Sequence, residues 1–197
     1  LGLFEHPYVP EDVIEAYEKG IPAGHAQLSR KAAQESVVLL KNEGGILPLD
    51  SAAKVSLVGT LADSVDEVTG AWAMGWKKED CVTILAGMKN SGLDVAYYPC
   101  AGPDGGLNED ELEAATANGD VIVAIVGETT AMSGEASSRA DLTLPGRQKE
   151  MLEKLLASGK PVVTVLMNGR PLALGWEAEH LPVLVCLLYT SPSPRDA

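Results

Sequence analysis

Residues 120–126 read DVIVAIV, and Gly127 follows. After the aspartate every side chain is apolar, and five of the six are β-branched. Such residues fit a pleated sheet. An alternating pattern would mark a strand with one wet face, whereas an unbroken run marks a strand buried on both. Outward from this run, short β-rich stretches alternate with amphipathic ones. Residues 54–58, 93–98, 161–166 and 182–186 read as further strands, and 82–90, 108–117 and 145–157 as helices. Asn108 suits an N-cap, and the acidic residues after it suit the first turn of a helix. Strands and helices in alternation predict an α/β fold: a mostly parallel open sheet with helices on both faces.

Upstream of this pattern, residues 24–41 read as one long helix, with Ala26, Ala32, Ala33, Val37, Leu39 and Leu40 on its apolar stripe. A short acidic helix is expected over residues 10–19, inside a connecting segment that carries Pro7, Pro10 and Pro22. At the other end, 187–197 (LLYTSPSPRDA) has serine, proline and arginine where a helix should follow the last strand, and its composition reads as a disordered tail.

Composition narrows the function classes. The chain has 197 residues, too few for a complete (β/α)₈ barrel of roughly 250. It is 46% hydrophobic and 22% charged, the balance of a folded domain. No apolar run approaches the roughly 20 residues of a membrane span. The net charge of −13 disfavours a nucleic-acid partner. Lys and Arg are absent between Lys89 and Arg139, while nine acidic residues fall there. Most of these read as a solvated surface. Cys81, Cys100 and Cys186 have no CxxC spacing, and His6, His25 and His180 have no ligand spacing. No metal site and no cofactor motif is therefore expected.

Residues 127–144, GETTAMSGEASSRADLTL, form a connection much longer than the ~2–6 residues usual between strand and helix. Ligands of open α/β sheets bind beyond the carboxyl ends of the strands, so chemistry is sought here. Glu135 sits among small neighbours after Gly134. Nearby negative charge and partial burial would keep its carboxyl protonated, as a general acid requires, and Arg139 would oppose this if close. The alternative is an ordinary surface charge. Trp72 and Trp76, in GAWAMGW at 70–76, read either as core packing or a lid, or as a surface on which sugar rings stack. Ser133 lacks the strand–GxSxG–helix elbow of a nucleophile. Cys100 with AGPDGG is a weak candidate for a phosphate-cradling turn.

Several motifs together resemble glycoside hydrolase family 3. They are LGLFEHPYV at 1–9, RKAAQESVVLLKNEGGILPLD at 30–50, GAWAMGW at 70–76 and TILAGMKN at 83–90, then VGETTAMSGEASSRADLTLPGRQ at 126–148 and KPVVTVLMNGRPLAL at 160–174. The resemblance implies the second domain of such an enzyme, an (αβ)₆-type sandwich, incomplete at its C-terminus. Residues 1–23 would be a linker from an N-terminal barrel, 24–186 the sandwich, and 187–197 an unrelated tail. It further implies that Glu135 is the acid/base of a retaining β-glycosidase and that Trp72, Trp76 and Arg139 contact substrate. The barrel would supply the carboxylate nucleophile. The implied partners are β-linked glucosides or short β-glucans and the barrel itself, with no metal or cofactor, and the implied location is periplasmic or secreted. A non-catalytic α/β sugar-binding module using Trp72 and Trp76 is the competing reading. A flavodoxin-like domain fits worse, for want of a phosphate loop.

Overall fold

The computed structural model describes residues 2–20 and 23–188. The chain divides into two compact units, 1–36 and 37–197. The break at Ser36 and Val37 differs from the boundary at residue 23 expected from sequence. The first unit holds helices α1 (Glu11–Glu18) and α2 (Ala23–Ser36). The tail was expected over 187–197, but Leu187 and Leu188 belong to the last strand, and 189–197 lie outside the described residues.

The second unit is a six-stranded sheet with strand order β1-β6-β5-β4-β2-β3. Its strands are β1 (Val38–Asn42), β2 (Lys54–Val58), β3 (Asp94–Tyr98), β4 (Val121–Gly127), β5 (Val162–Asn168) and β6 (Val183–Leu188). All neighbouring pairs are parallel except β1 with β6 at the edge. The helices are α3 (Ile84–Asn90), α4 (Glu109–Asn118), α5 (Gln148–Ala157) and α6 (Gly175–His180). Asn108 caps α4 as expected, its Oδ1 accepting from the Glu111 amide at 3.3 Å.

Every residue of β4 is buried. The period of two splits its side chains between two cores. Ile122, Ala124 and Val126 pack with Leu112 of α4 and Met151, Leu152 and Leu155 of α5. Val121, Val123 and Ile125 pack with Leu61 and with Leu85 of α3. Helices thus cover both faces, as the unbroken apolar run requires.

Two elements differ from the sequence reading. The long helix ends at Ser36, and Val38–Asn42 form the antiparallel edge strand instead. Val37 and Val38 are stiff at χ1 and fit a strand better than a helix. The hydrogen-bonding edge of β6 supplies the tertiary partner that the helical stripe could not reveal. The short α6 was not anticipated.

The order of the strands positions the site. From β2 the chain crosses one face through α3 to β3, then returns over the other face through α4 to β4. β4 lies on the opposite side of β2 from β3, so the connections after β2 and β4 diverge. This reversal opens a crevice beyond the carboxyl ends of β2 and β4.

The long connection after β4 is pinned at both ends by one side chain. Gln148, fully buried at the start of α5, accepts from the Gly127 amide at 2.8 Å. Its Nε2 donates to the Gly127 and Pro145 carbonyls, both at 2.8 Å. Gly127 has φ of +147°, and a Cβ there would lie 1.7 Å from the Met167 carbonyl oxygen. Only glycine allows β4 to turn out of the sheet so close to β5. Gln148→Leu keeps the volume but orphans the Gly127 amide and two carbonyls. Since an orphaned buried polar group costs about 1–3 kcal/mol, the variant is expected to lose at least about 2 kcal/mol in urea unfolding. A loss below about 0.5 kcal/mol would contradict this role for Gln148.

Candidate functional site

A cavity of about 460 Å³ occupies the crevice. The limb after β2 contributes Asp66, Trp72 and Trp76 to its wall, and the limb after β4 contributes Thr130, Ser133 and Glu135. The structure thus brings three of the four candidates from sequence into one cavity. Trp72 is 60% exposed and Trp76 38% exposed, so neither indole is core packing. The third tryptophan, Trp176, is used elsewhere: it stacks on His180 with ring centroids 4.9 Å apart and lies under the Lys149 ammonium.

Glu135 is exposed in this chain, where partial burial had been expected. It occupies a tight turn in which the Ser137 amide donates to the Gly134 carbonyl at 3.3 Å. Ala136, at the next position, has φ of +61°, the one non-glycine residue with positive φ among the described residues. An L side chain in that region stores roughly 1–2 kcal/mol of strain, so surrounding contacts must impose the conformation. Gly134 allows the limbs to touch. It has φ of +98°, and a Cβ there would sit 2.9 Å from the Ala71 Cβ and 3.8 Å from the Trp72 ring.

A carboxylate also joins the two limbs. Glu67, three residues before Gly70 on the tryptophan limb, accepts from the Thr130 amide. Burial raises its pKa above the ordinary 4.5, and Asp104 and Asp66 add to this, while the hydrogen bond from Thr130 opposes it. Asp66 itself pairs with the Lys78 ammonium at 3.2 Å. The Thr83 hydroxyl donates to Asp63 at 2.8 Å, closing the base of the limb.

Arg139 is not part of the wall. Its Nη1 donates to Glu128 Oε1 at 2.5 Å, and its Nη2 donates to the Thr143 carbonyl at 3.2 Å. Glu128, the first residue after β4, is fully buried. Arg170 Nε lies 3.2 Å from the same oxygen. Arg170 Nη2 donates to the Met132 carbonyl and, at 2.7 Å, to the Ser137 carbonyl. Asn168, at the end of β5, holds the Arg170 backbone, its Nδ2 donating to the Arg170 carbonyl at 2.6 Å. Glu128, Arg170, Gln148 and Glu67 were all missed as contributors to the site. One signal for Glu128 was available: an ionisable residue directly after an all-apolar strand must find buried partners.

The remaining candidates do not form sites. Ser133 is buried in the cavity wall, without the elbow that a nucleophile needs. Burial pushes the Cys100 thiol up to about 12, which makes it inert. Among the described residues no group of His, Cys, Asp and Glu could hold a metal ion, and no helix is long and apolar enough to cross a membrane.

Residues 37–192 match the family described as "Glycosyl hydrolase family 3 C-terminal domain". The chain belongs to glycoside hydrolase family 3, as its C-terminal domain. It is 37% identical to a periplasmic β-glucosidase of Salmonella typhimurium, with 94% of this chain and 28% of that protein covered. A β-xylosidase of Formosa agariphila is 33% identical, over 100% of this chain and 28% of that protein. Among solved structures, a β-glucosidase from Listeria innocua in complex with isofagomine superimposes with a TM-score of 0.86 at 34% identity, covering 96% of this chain and 26% of that one. The chain therefore spans little more than a quarter of the length of these relatives.

The raised pKa of Glu67 gives a pH test of the bridge between the limbs. A carboxyl raised in the folded state adds stability when protonated and loses it as pH rises through the raised value. Glu67→Gln keeps an acceptor for the Thr130 amide and removes the charge. Its Tm is expected to exceed that of the wild type at pH 7, and the difference is expected to vanish as pH falls to 4, below the ordinary value of 4.5. A difference that is the same at both pH values would contradict the assignment.

Proposed function

We propose that this chain is the general acid/base-bearing portion of a retaining β-glycosidase acting on β-glucosides or short β-glucans from the non-reducing end. The observation that carries the reading is the sharing of one crevice by an exposed carboxyl, Glu135, and two exposed indoles, Trp72 and Trp76. Indole faces stack on the C–H faces of sugar rings, and here they would hold the leaving-group side of the substrate. Glu135 would protonate the departing glycosidic oxygen and then draw the proton from water. Retaining hydrolysis needs a second carboxyl about 5–5.5 Å away on the opposite side of the bond, as nucleophile. The cavity wall offers Asp66, but its pairing with Lys78 commits it to the limb. The nucleophile is assigned to an N-terminal barrel domain of the whole protein, in keeping with relatives of nearly four times this length. The names of those relatives, a periplasmic β-glucosidase and a β-xylosidase, support a β-linked pyranoside substrate and a periplasmic or secreted location.

The test uses the full-length protein. Glu135→Gln is expected to lower kcat on cellobiose by about 10²–10⁴-fold, the range of general-acid catalysis. Activated aryl glucosides, whose leaving groups depart unprotonated, lose much less in the glycosylation step. Azide is expected to restore turnover of such substrates in Glu135→Ala, giving glycosyl azide. Undiminished cellobiose hydrolysis by Glu135→Ala would contradict the reading, and binding of cellobiose without hydrolysis by the wild-type protein would favour a sugar-binding module.

A further inference from the structure

Glu135 stands on a turn whose internal Ser137–Gly134 hydrogen bond is long, at 3.3 Å. Its side chain is exposed, and the residue after it is in a strained backbone conformation. Something outside the turn must fix it, because acid catalysis requires the carboxyl to be placed to well within 1 Å.

We propose that Arg170, anchored on the buried carboxylate of Glu128, is the positioning residue for Glu135; the proposal rests on the acid/base role of Glu135 given above. Three observations lead to it. First, Arg170 Nη2 donates to the carbonyls of Met132 and Ser137, which lie on either side of the Gly134–Ser137 turn's Glu135. One planar guanidinium thus ties together both flanks of the segment carrying the carboxyl. Second, the guanidinium is itself fixed, with Nε 3.2 Å from the fully buried Glu128 and the Arg170 backbone held by the buried Asn168. Glu128 and Asn168 stand at the ends of the adjacent strands β4 and β5, so the turn is referenced to the two central strands of the sheet. Third, Arg139 approaches the same Glu128 oxygen and reaches the Thr143 carbonyl. It secures the returning part of the connection and leaves the tip to Arg170.

A lysine could not replace this arrangement. An ammonium would retain charge against Glu128, but it is a point donor without the rigid fork that spans an anion and two carbonyls. Arg170→Lys is therefore the informative variant, since the buried carboxylate keeps a cationic partner while the tip of the connection loses its brace.

The experiment is steady-state kinetics of the full-length protein with cellobiose and with 2,4-dinitrophenyl β-glucoside, the latter needing no protonation to depart. Arg170→Lys is expected to lower kcat/KM for cellobiose by about 10- to 100-fold, the scale of a misplaced catalytic group, with at most about a threefold loss for the dinitrophenyl substrate. Glu128→Asp, which draws the anchor back by one methylene, is expected to give the same selective loss and serves if Arg170→Lys does not fold. Glu135→Gln is run in parallel. If it shows the selective loss while Arg170→Lys and Glu128→Asp lose both substrates equally, or lose only thermal stability, the positioning role is overturned and the acid/base reading stands. If Glu135→Gln itself shows no selectivity, the acid/base reading fails, and the proposal built on it fails with it.

Discussion

A carboxylate buried at the end of the central strand needs positive charge, and much of the candidate site follows from how Glu128 obtains it. Glu128 is the first residue beyond β4, at a depth where no part of it meets solvent. Burying an ion costs several kcal/mol unless close partners replace water. Two guanidiniums supply that replacement, and each has donors left over. Those donors turn to backbone carbonyls of the connection that Glu128 itself begins, at Met132, Ser137 and Thr143. Charge satisfaction inside the protein and ordering of a long loop are thus one interaction. Gln148 adds a neutral counterpart at the base, closing both ends of the connection with a single amide.

The position of that loop comes from topology. The reversal of strand order between β2 and β4 separates two connections that would otherwise pack side by side. Into the opening come an acidic limb with two indoles and a limb with Glu135, joined by the Glu67 carboxylate and by close approach at Gly134. The acidity of the stretch between Lys89 and Arg139 takes on a structural meaning here. It ends at the first basic residue, Arg139, whose partner is Glu128 rather than Glu135.

Much of the sheet was legible in the sequence, because its central strands carry redundant signals. The run at 120–126 is apolar throughout and β-branched, and β4 lies within one residue of it. The strand at 54–58 is found where it was read. The edge strand β1 was not legible, because Val37, Leu39 and Leu40 satisfy a helical stripe as well as a strand, and its partner β6 is distant in sequence. Glu135, Trp72 and Trp76, the candidates taken from the loops, line one cavity. Their supporting residues were hidden for a physical reason. Arg170 and Gln148 act through backbone atoms and through one buried carboxylate, and neither contact leaves a spacing pattern in the chain.

The central claim is that this crevice presents Glu135 to a glycosidic bond from the side opposite a nucleophilic carboxylate. A crystal structure of the full-length protein, trapped as a covalent intermediate with a 2-deoxy-2-fluoro β-glucoside, tests it most directly. The account predicts that the Glu135 carboxyl lies about 5–5.5 Å from the labelled carboxylate, with Trp72 and Trp76 facing the vacated leaving-group side. A labelled carboxylate remote from Glu135, or a different carboxyl of this chain in that position, would contradict it.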